Sequence, residues 1–154
     1  KKMLISKKIS WTFLICFIIF DNIFSYFAIV YHGMRELGII SRFLVDITPM
    51  YYFISIPLTI IFIYFLIKLV GIIEEKTDKS GKFKREINEK LMLGSLMIAW
   101  GIGVTLFNFI TFLRGFSTAG MRYEIFLFSG ILIGVFYGIY ASWKIKKTGK
   151  ISSK

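Results

Sequence analysis

The chain has 154 residues, is 56% hydrophobic and carries a formal net charge of +11. Soluble domains hold ~45–50% apolar residues even on a count that includes glycine, and here the excess is gathered into blocks, which excludes an ordinary water-soluble domain. The charge is equally partitioned, into the segments between those blocks, and it is the blocks that set the order of the reading.

The first begins after "KKMLISKK" and spans residues 9–31. It mimics a secretory signal, but it is too long, contains Asp21 and lacks a small-residue cleavage site, so we expect a retained first helix. Three further blocks cover residues 50–73, 91–113 and 123–143. Each approaches the ~20 residues that a helix needs to cross a bilayer at ~1.5 Å per residue. None shows the charged face of a soluble amphipathic helix. The expectation is an all-α fold, an integral membrane four-helix bundle forming one domain over residues 1–154. Residues 74–90 form the loop between the second and third helices, read as the ends of those helices joined by a turn at Ser80-Gly81. Cys16 is the sole cysteine, so no disulfide forms within the chain.

Orientation follows from the basic residues. All fifteen lysines fall at the N-terminus, around the 74–90 loop or at the C-terminus, whereas four of the five arginines, Arg35, Arg42, Arg114 and Arg122, lie in the two remaining loops. Short cytoplasmic loops are enriched in Lys and Arg, which places both termini in the cytoplasm of a multi-pass cell-membrane protein. The basic excess then reflects topology and attraction to anionic lipid headgroups. The loop "EEKTDKSGKFKREINEK" mixes acids with bases and has a single aromatic, which argues against nucleic acid. Arginine forms two-pronged contacts that lysine cannot, so the outer arginines are candidates for pairing with Glu36, Asp46 or Glu124, against the alternative of solvated loop charges.

Polar residues inside the spans are the candidate site. An ionised Asp at a helix centre costs ~2.5–3.5 kcal/mol on insertion scales, so Asp21 should face protein or water, or be protonated. Asn22, Ser25, Ala28 and His32 continue from it toward the outer surface. In the third helix, Gly94, Gly101, Thr105, Asn108 and Gly115 fall near one face, with Thr111 beside it. Asp21 and Asn108 have similar depth, so an amide-to-carboxylate bond between them would offset part of the burial cost. The stripe reads either as a packing face or as a hydrated path. On the fourth helix, Gly130, Gly134, Gly138 and Ser142 recur every four residues, a small-xxx-small pattern that lets helices approach closely. Pro57 and Lys68 mark the second helix, the former as a kink candidate and the latter as a snorkelling cation.

"FDNIFSYFAIVYHGMRE" from Phe20 and "FNFITFLRGFSTAGMRY" from Phe107 align Asp21 with Asn108 and Gly33-Met34-Arg35 with Gly120-Met121-Arg122. This suggests two tandem helical hairpins of the same orientation, against chance recurrence of common residues. The segment "FDNIFSYFAIVYHGMRELGIISRFL", about a fifth of the chain, resembles a domain-of-unknown-function family of small archaeal and bacterial membrane proteins. That pattern has a mid-helix Asp, a Gly, Glu-x-Asn-Pro and then a basic residue; Asp21, Gly33, Glu36 and Arg42 fit it, and Gly38-Ile39 departs from it. The resemblance implies a four-helix membrane fold and no activity.

No HExxH, CxxC, phosphate-loop or nucleophile-elbow pattern is present, and His32 is the lone histidine, a polar anchor at the outer interface. No catalytic residue, metal ligand or cofactor site is expected. The expected function is non-enzymatic: an assembly or accessory subunit of a homo-oligomer or larger membrane complex, held by the glycine zipper. The alternative is a small proton or cation channel or carrier using Asp21 and Asn108.

Overall fold

The computed structural model describes residues 4–34, 43–44, 46–77 and 85–148. Among these it is all-helical, with four helices long and apolar enough to cross a membrane. They are α1 (Lys7–Val30), α2 (Tyr51–Thr77), α3 (Arg85–Leu113) and α4 (Tyr123–Thr148). Arg35, Glu36 and Arg42 lie outside the described residues.

Helix ends follow local chemistry more than hydropathy. Ser6 caps α1, its side chain accepting the Ile9 N–H at 3.2 Å. Gly33, at φ +62°, ends that helix by entering a backbone region that other residues rarely adopt. Both ends of the 74–90 segment are helical. Helix α2 runs on to Thr77 and α3 starts at Arg85. Charged residues continue a helix readily where side chains pair one turn apart, as Lys90 does with Glu86 at 2.7 Å.

Helix α3 is central and packs against all three others. Leu14 and Ile18 of α1, Ile63 and Ile67 of α2 and Leu93 of α3 form the main core, each 5% exposed or less. A second cluster joins Ile87 and Leu91 of α3 to Ala141 and Ile145 of α4, with Leu4 against it, so the two ends of the described chain meet at one end of the bundle. We call this the terminal end. The repeat seen in sequence sets Asp21 and Asn108 at one depth, but the two hairpins have different surroundings. Helix α2 packs on both α1 and α3, whereas α4 lies chiefly along α3.

The α3–α4 seam depends on absent side chains. A Cβ on Gly130 would lie 2.5 Å from the Gly103 nitrogen and 2.7 Å from its Cα. One on Gly134 would meet the Ser95 carbonyl at 2.6 Å, and one on Gly138 the Ser95 hydroxyl at 2.9 Å. Beyond Gly138 the seam passes to Ala141 and Ile145, and Ser142 is half-buried beside it. Four-residue steps overshoot a full turn by ~40° each, so a strict four-spacing drifts off any contact line after three steps. The outward faces of α2 and α4 are almost wholly apolar, with Phe62, Phe65, Phe128 and Phe136 among the most exposed residues. Pro57 sits inside α2 on this exposed side.

The terminal end is tied by one acid. Glu89, with its side chain 3% exposed, pairs with Lys7 of α1, with Lys68 of α2 at 2.8 Å and with Arg85 at 3.1 Å. Three helices thus share one carboxylate. Lys68, read from sequence as a snorkelling cation, ends here. Around this level Lys68, Lys144 and Lys147 lie over Tyr64, Tyr140 and Trp143, at 5.7, 5.6 and 5.0 Å from the ring centroids. Such pairing of basic and amphipathic aromatic side chains suits a membrane–water boundary.

The seam makes a direct prediction. Gly130→Leu should force α3 and α4 apart and cost about 3 kcal/mol, the upper range for overpacking. The exposed Ile131→Leu should be neutral. Thermal unfolding in mild detergent checks this, and parent-like melting of Gly130→Leu would show that the seam can open without loss.

Candidate functional site

Asp21 is 4% exposed and lies in the interior of α1, facing α3. Three donors converge on it. Trp100 Nε1 and Thr105 Oγ1 donate to Oδ2 at 2.6 and 2.9 Å, and Asn108 Nδ2 donates to Oδ1 at 3.2 Å. Hydrogen bonds to a charged group contribute ~1.5–3 kcal/mol each. Three of them exceed the ~2.5–3.5 kcal/mol that an ionised Asp costs at mid-helix on insertion scales. The carboxylate is therefore held by the fold and does not need to reach lipid or bulk water.

A regular helix could not present these donors together. At ~100° per residue, Trp100 and Thr105 would lie ~140° apart around the axis. Residues Gly101–Thr105 instead form a π-turn, with the Leu106 N–H donating to the Gly101 carbonyl. A π-turn takes up one extra residue and reduces the separation to ~40°. The glycines that allow it serve different neighbours. A Cβ on Gly101 would strike Phe17 of α1 at 2.8 Å, and Gly103 abuts the backbone of Leu127 at 3.3 Å. The single small-residue face expected for α3 is thus divided. Gly101, Thr105 and Asn108 look to α1, while Gly94 and Gly103 look to α4. Gly115 ends the helix at φ +62° with open space around it, and Thr111 bonds back to Phe107.

Asn22 extends the polar network to α2. Its amide donates to the Ile18 carbonyl at 2.8 Å, and its oxygen accepts the Ser55 hydroxyl at 2.5 Å. Above these residues lies a cavity of about 290 Å³, lined in part by Asp21, Asn22, Ser25, Ser55, Thr59 and Asn108. Its further lining includes Ala28, Met34, Tyr52 and Tyr123, so it extends from Asp21 toward the end opposite the termini. In the other direction Leu14, Ile18, Ile63, Ile67 and Leu93 close the bundle.

An aromatic stack stands at that opposite end. Phe116 lies parallel to His32, with ring centroids 3.7 Å apart, and parallel to Phe24 at 5.4 Å. Its φ of +65° is unusual for a bulky residue, and the two flanking rings hold it there. His32 is therefore an aromatic partner as well as an exposed polar group. Of the arginines in these loops, Arg114 and Arg122 lie among the described residues. Arg114 donates to the Ala119 carbonyl at 2.9 Å, and among the described residues neither it nor Arg122 pairs with an acid. In a tight turn the nearest acceptor is backbone. No group of three His, Cys, Asp or Glu side chains suited to a metal occurs among the described residues.

The structure brings Asp21, Thr105 and Asn108 into direct contact and links Asn22 to the same region, with Ser25 on the cavity wall. Sequence reasoning missed Trp100, Ser55 and Glu89. Trp100 was absorbed into an apolar run, although two glycines within the next three residues signal an irregular turn. Ser55 and Thr59, one turn apart in an otherwise apolar helix, were passed over. Glu89 carries no signal of its own in a segment that mixes acids with bases, although Arg85 lies one helical turn before it.

The three-donor arrangement predicts opposite outcomes for two substitutions. Asp21→Leu strands the Trp100, Thr105 and Asn108 donors and should cost about 3 kcal/mol or more, at ~1–3 kcal/mol for each buried group left unpaired. Asp21→Asn keeps an oxygen for Trp100, and the Asn108 amide can turn over to accept from the new amide. Its stability should fall by no more than about 1 kcal/mol. Denaturation of both variants in detergent checks this, and equal losses would mean that the carboxylate's charge, not its acceptor pattern, holds the helices.

No protein-family model, curated protein or solved structure matches the chain. The chemistry of the site therefore stands on its own geometry.

Proposed function

We propose that this multi-pass membrane protein is a non-enzymatic carrier that admits a small cation from its outer side to Asp21. The observation that carries this reading is the cavity ending on a buried carboxylate, with no basic side chain among the described residues that line it. Ionisable residues inside membrane spans that face a cavity mark solute and ion pathways. The lysine bias sets both termini in the cytoplasm, which turns the cavity outward. The apolar layer beneath Asp21 and the Glu89 knot below it close the other side. A pocket open on one side fits alternating access better than a continuous pore.

The assembly-subunit reading drew its support from the α4 glycines. Those glycines abut α3 of the same chain, which leaves that pattern unavailable to a partner. The exposed faces of α2 and α4 are the ordinary surface of helices in lipid.

The test needs no knowledge of the solute. In a Cys16→Ser background, Ser25→Cys places a thiol on the cavity wall. Thiosulfonate reagents bearing an ammonium or a sulfonate group are then applied to the outer side of sealed vesicles. The reading predicts that the cationic reagent reacts about tenfold faster than the anionic one, and that Asp21→Asn removes the preference. No reaction from the outer side, or a preference unchanged by Asp21→Asn, would sink it.

A further inference from the structure

The cavity walls select among cations. Phe24, Tyr51, Tyr52, Trp100, Phe107 and Tyr123 all line it, and Asp21 is the one formally charged residue among its described lining. A carboxylate offers about four lone-pair positions. Trp100, Thr105 and Asn108 occupy three. What is left suits a single N–H donor. A dehydrated metal ion wants a shell of several oxygens, and here three of the four Asp21 positions and one lone pair of the Asn22 oxygen are already engaged. Ring faces do what oxygen ligands cannot: they attract the diffuse charge of an alkylated ammonium while burying its carbon atoms. A volume of about 290 Å³ lies at the small end of ligand pockets and, at ~30 Å³ per water-sized group, limits the guest to about ten heavy atoms.

We propose that the pocket takes a small organic ammonium ion, a protonated alkylamine. It sets one N–H on the remaining Asp21 lone pair and its alkyl group against the aromatic wall. This rests on the outward cation pocket proposed above and narrows it to a chemical class. Acids are repelled by the carboxylate, and neutral solutes gain a hydrogen bond from it without the charge attraction that an ammonium adds. The three hydroxyls of Ser25, Ser55 and Thr59 can accept further N–H groups of a primary ammonium.

Trp100 reports on the site, because its indole both lines the pocket and donates to Asp21. The purified full chain in detergent is titrated with methylammonium chloride while tryptophan fluorescence is followed. Sodium and potassium chloride at the same ionic strength are the comparison. The expected result is a saturable change with methylammonium at a concentration at least tenfold lower than any produced by sodium or potassium. Asp21→Asn should abolish it. Tyr51→Leu, at a half-buried wall position, should weaken methylammonium about tenfold and leave the melting temperature near the parent's. Equal responses to all three cations, or full methylammonium binding by Tyr51→Leu, would overturn the ammonium assignment and leave the cation pocket standing. No response to any of them, while Ser25→Cys still prefers the cationic reagent, would overturn it in the same way. Loss of that preference as well would remove both.

Discussion

A carboxylate inside an apolar span must find its hydrogen-bond donors within the protein, and most of this fold can be traced to that requirement at Asp21. The donors come from one helix, α3, and they arrive together only because the helix is rewound at Gly101–Thr105. The rewinding in turn needs residues without side chains at close approach, to Phe17 of α1 on one side and to the Leu127 backbone of α4 on the other. The α4 glycines extend the same logic, since α3 can be central only if its neighbours come near enough to touch backbone. Small residues matter in this way where lipid supplies no hydrophobic drive for helices to associate.

Along its axis the bundle is layered by polarity. Glu89 gathers Lys7, Lys68 and Arg85 at the terminal end, a dry layer of Leu and Ile follows, then the Asp21 cluster, then the cavity and the His32–Phe116 stack. The two buried carboxylates among the described residues are treated differently. Glu89 is met by full positive charges that remain partly exposed, which fixes three helix ends and leaves little free capacity. Asp21 is met only by neutral donors, so its formal charge is not cancelled. That difference makes the second carboxylate, and not the first, the candidate for receiving a cation.

Much of this was legible in the sequence, and the limits are physical. Hydropathy blocks of ~20 residues define spans because bilayer thickness does, so the four helices could be read directly. Asp21 and Asn108 stood out because each is costly in lipid, and equal depth was enough to suggest contact. Trp100 did not stand out, since an indole is mostly apolar and its one N–H carries no signal until a partner is known. The π-turn carries no hydropathy signal either: a regular period of 3.6 sets Trp100 ~140° from Thr105, whereas the structure brings both to Asp21. Glu89 was lost for a related reason. A hydropathy window ends a helix where charge begins, but the backbone continues as long as its side chains find partners, as Glu89 does with Arg85.

The most direct test of the central claim is the state of the Trp100 indole. The chain has three tryptophans, Trp11, Trp100 and Trp143. Nitrogen-15 labelling in detergent micelles gives each indole N–H its own resonance, and Trp100→Phe assigns the one of interest. If Asp21 organises the bundle, the Trp100 N–H is displaced downfield from the other two, is protected from exchange with water, and moves strongly in Asp21→Asn while Trp11 and Trp143 stay in place. A Trp100 resonance that exchanges freely and ignores Asp21→Asn would contradict the account.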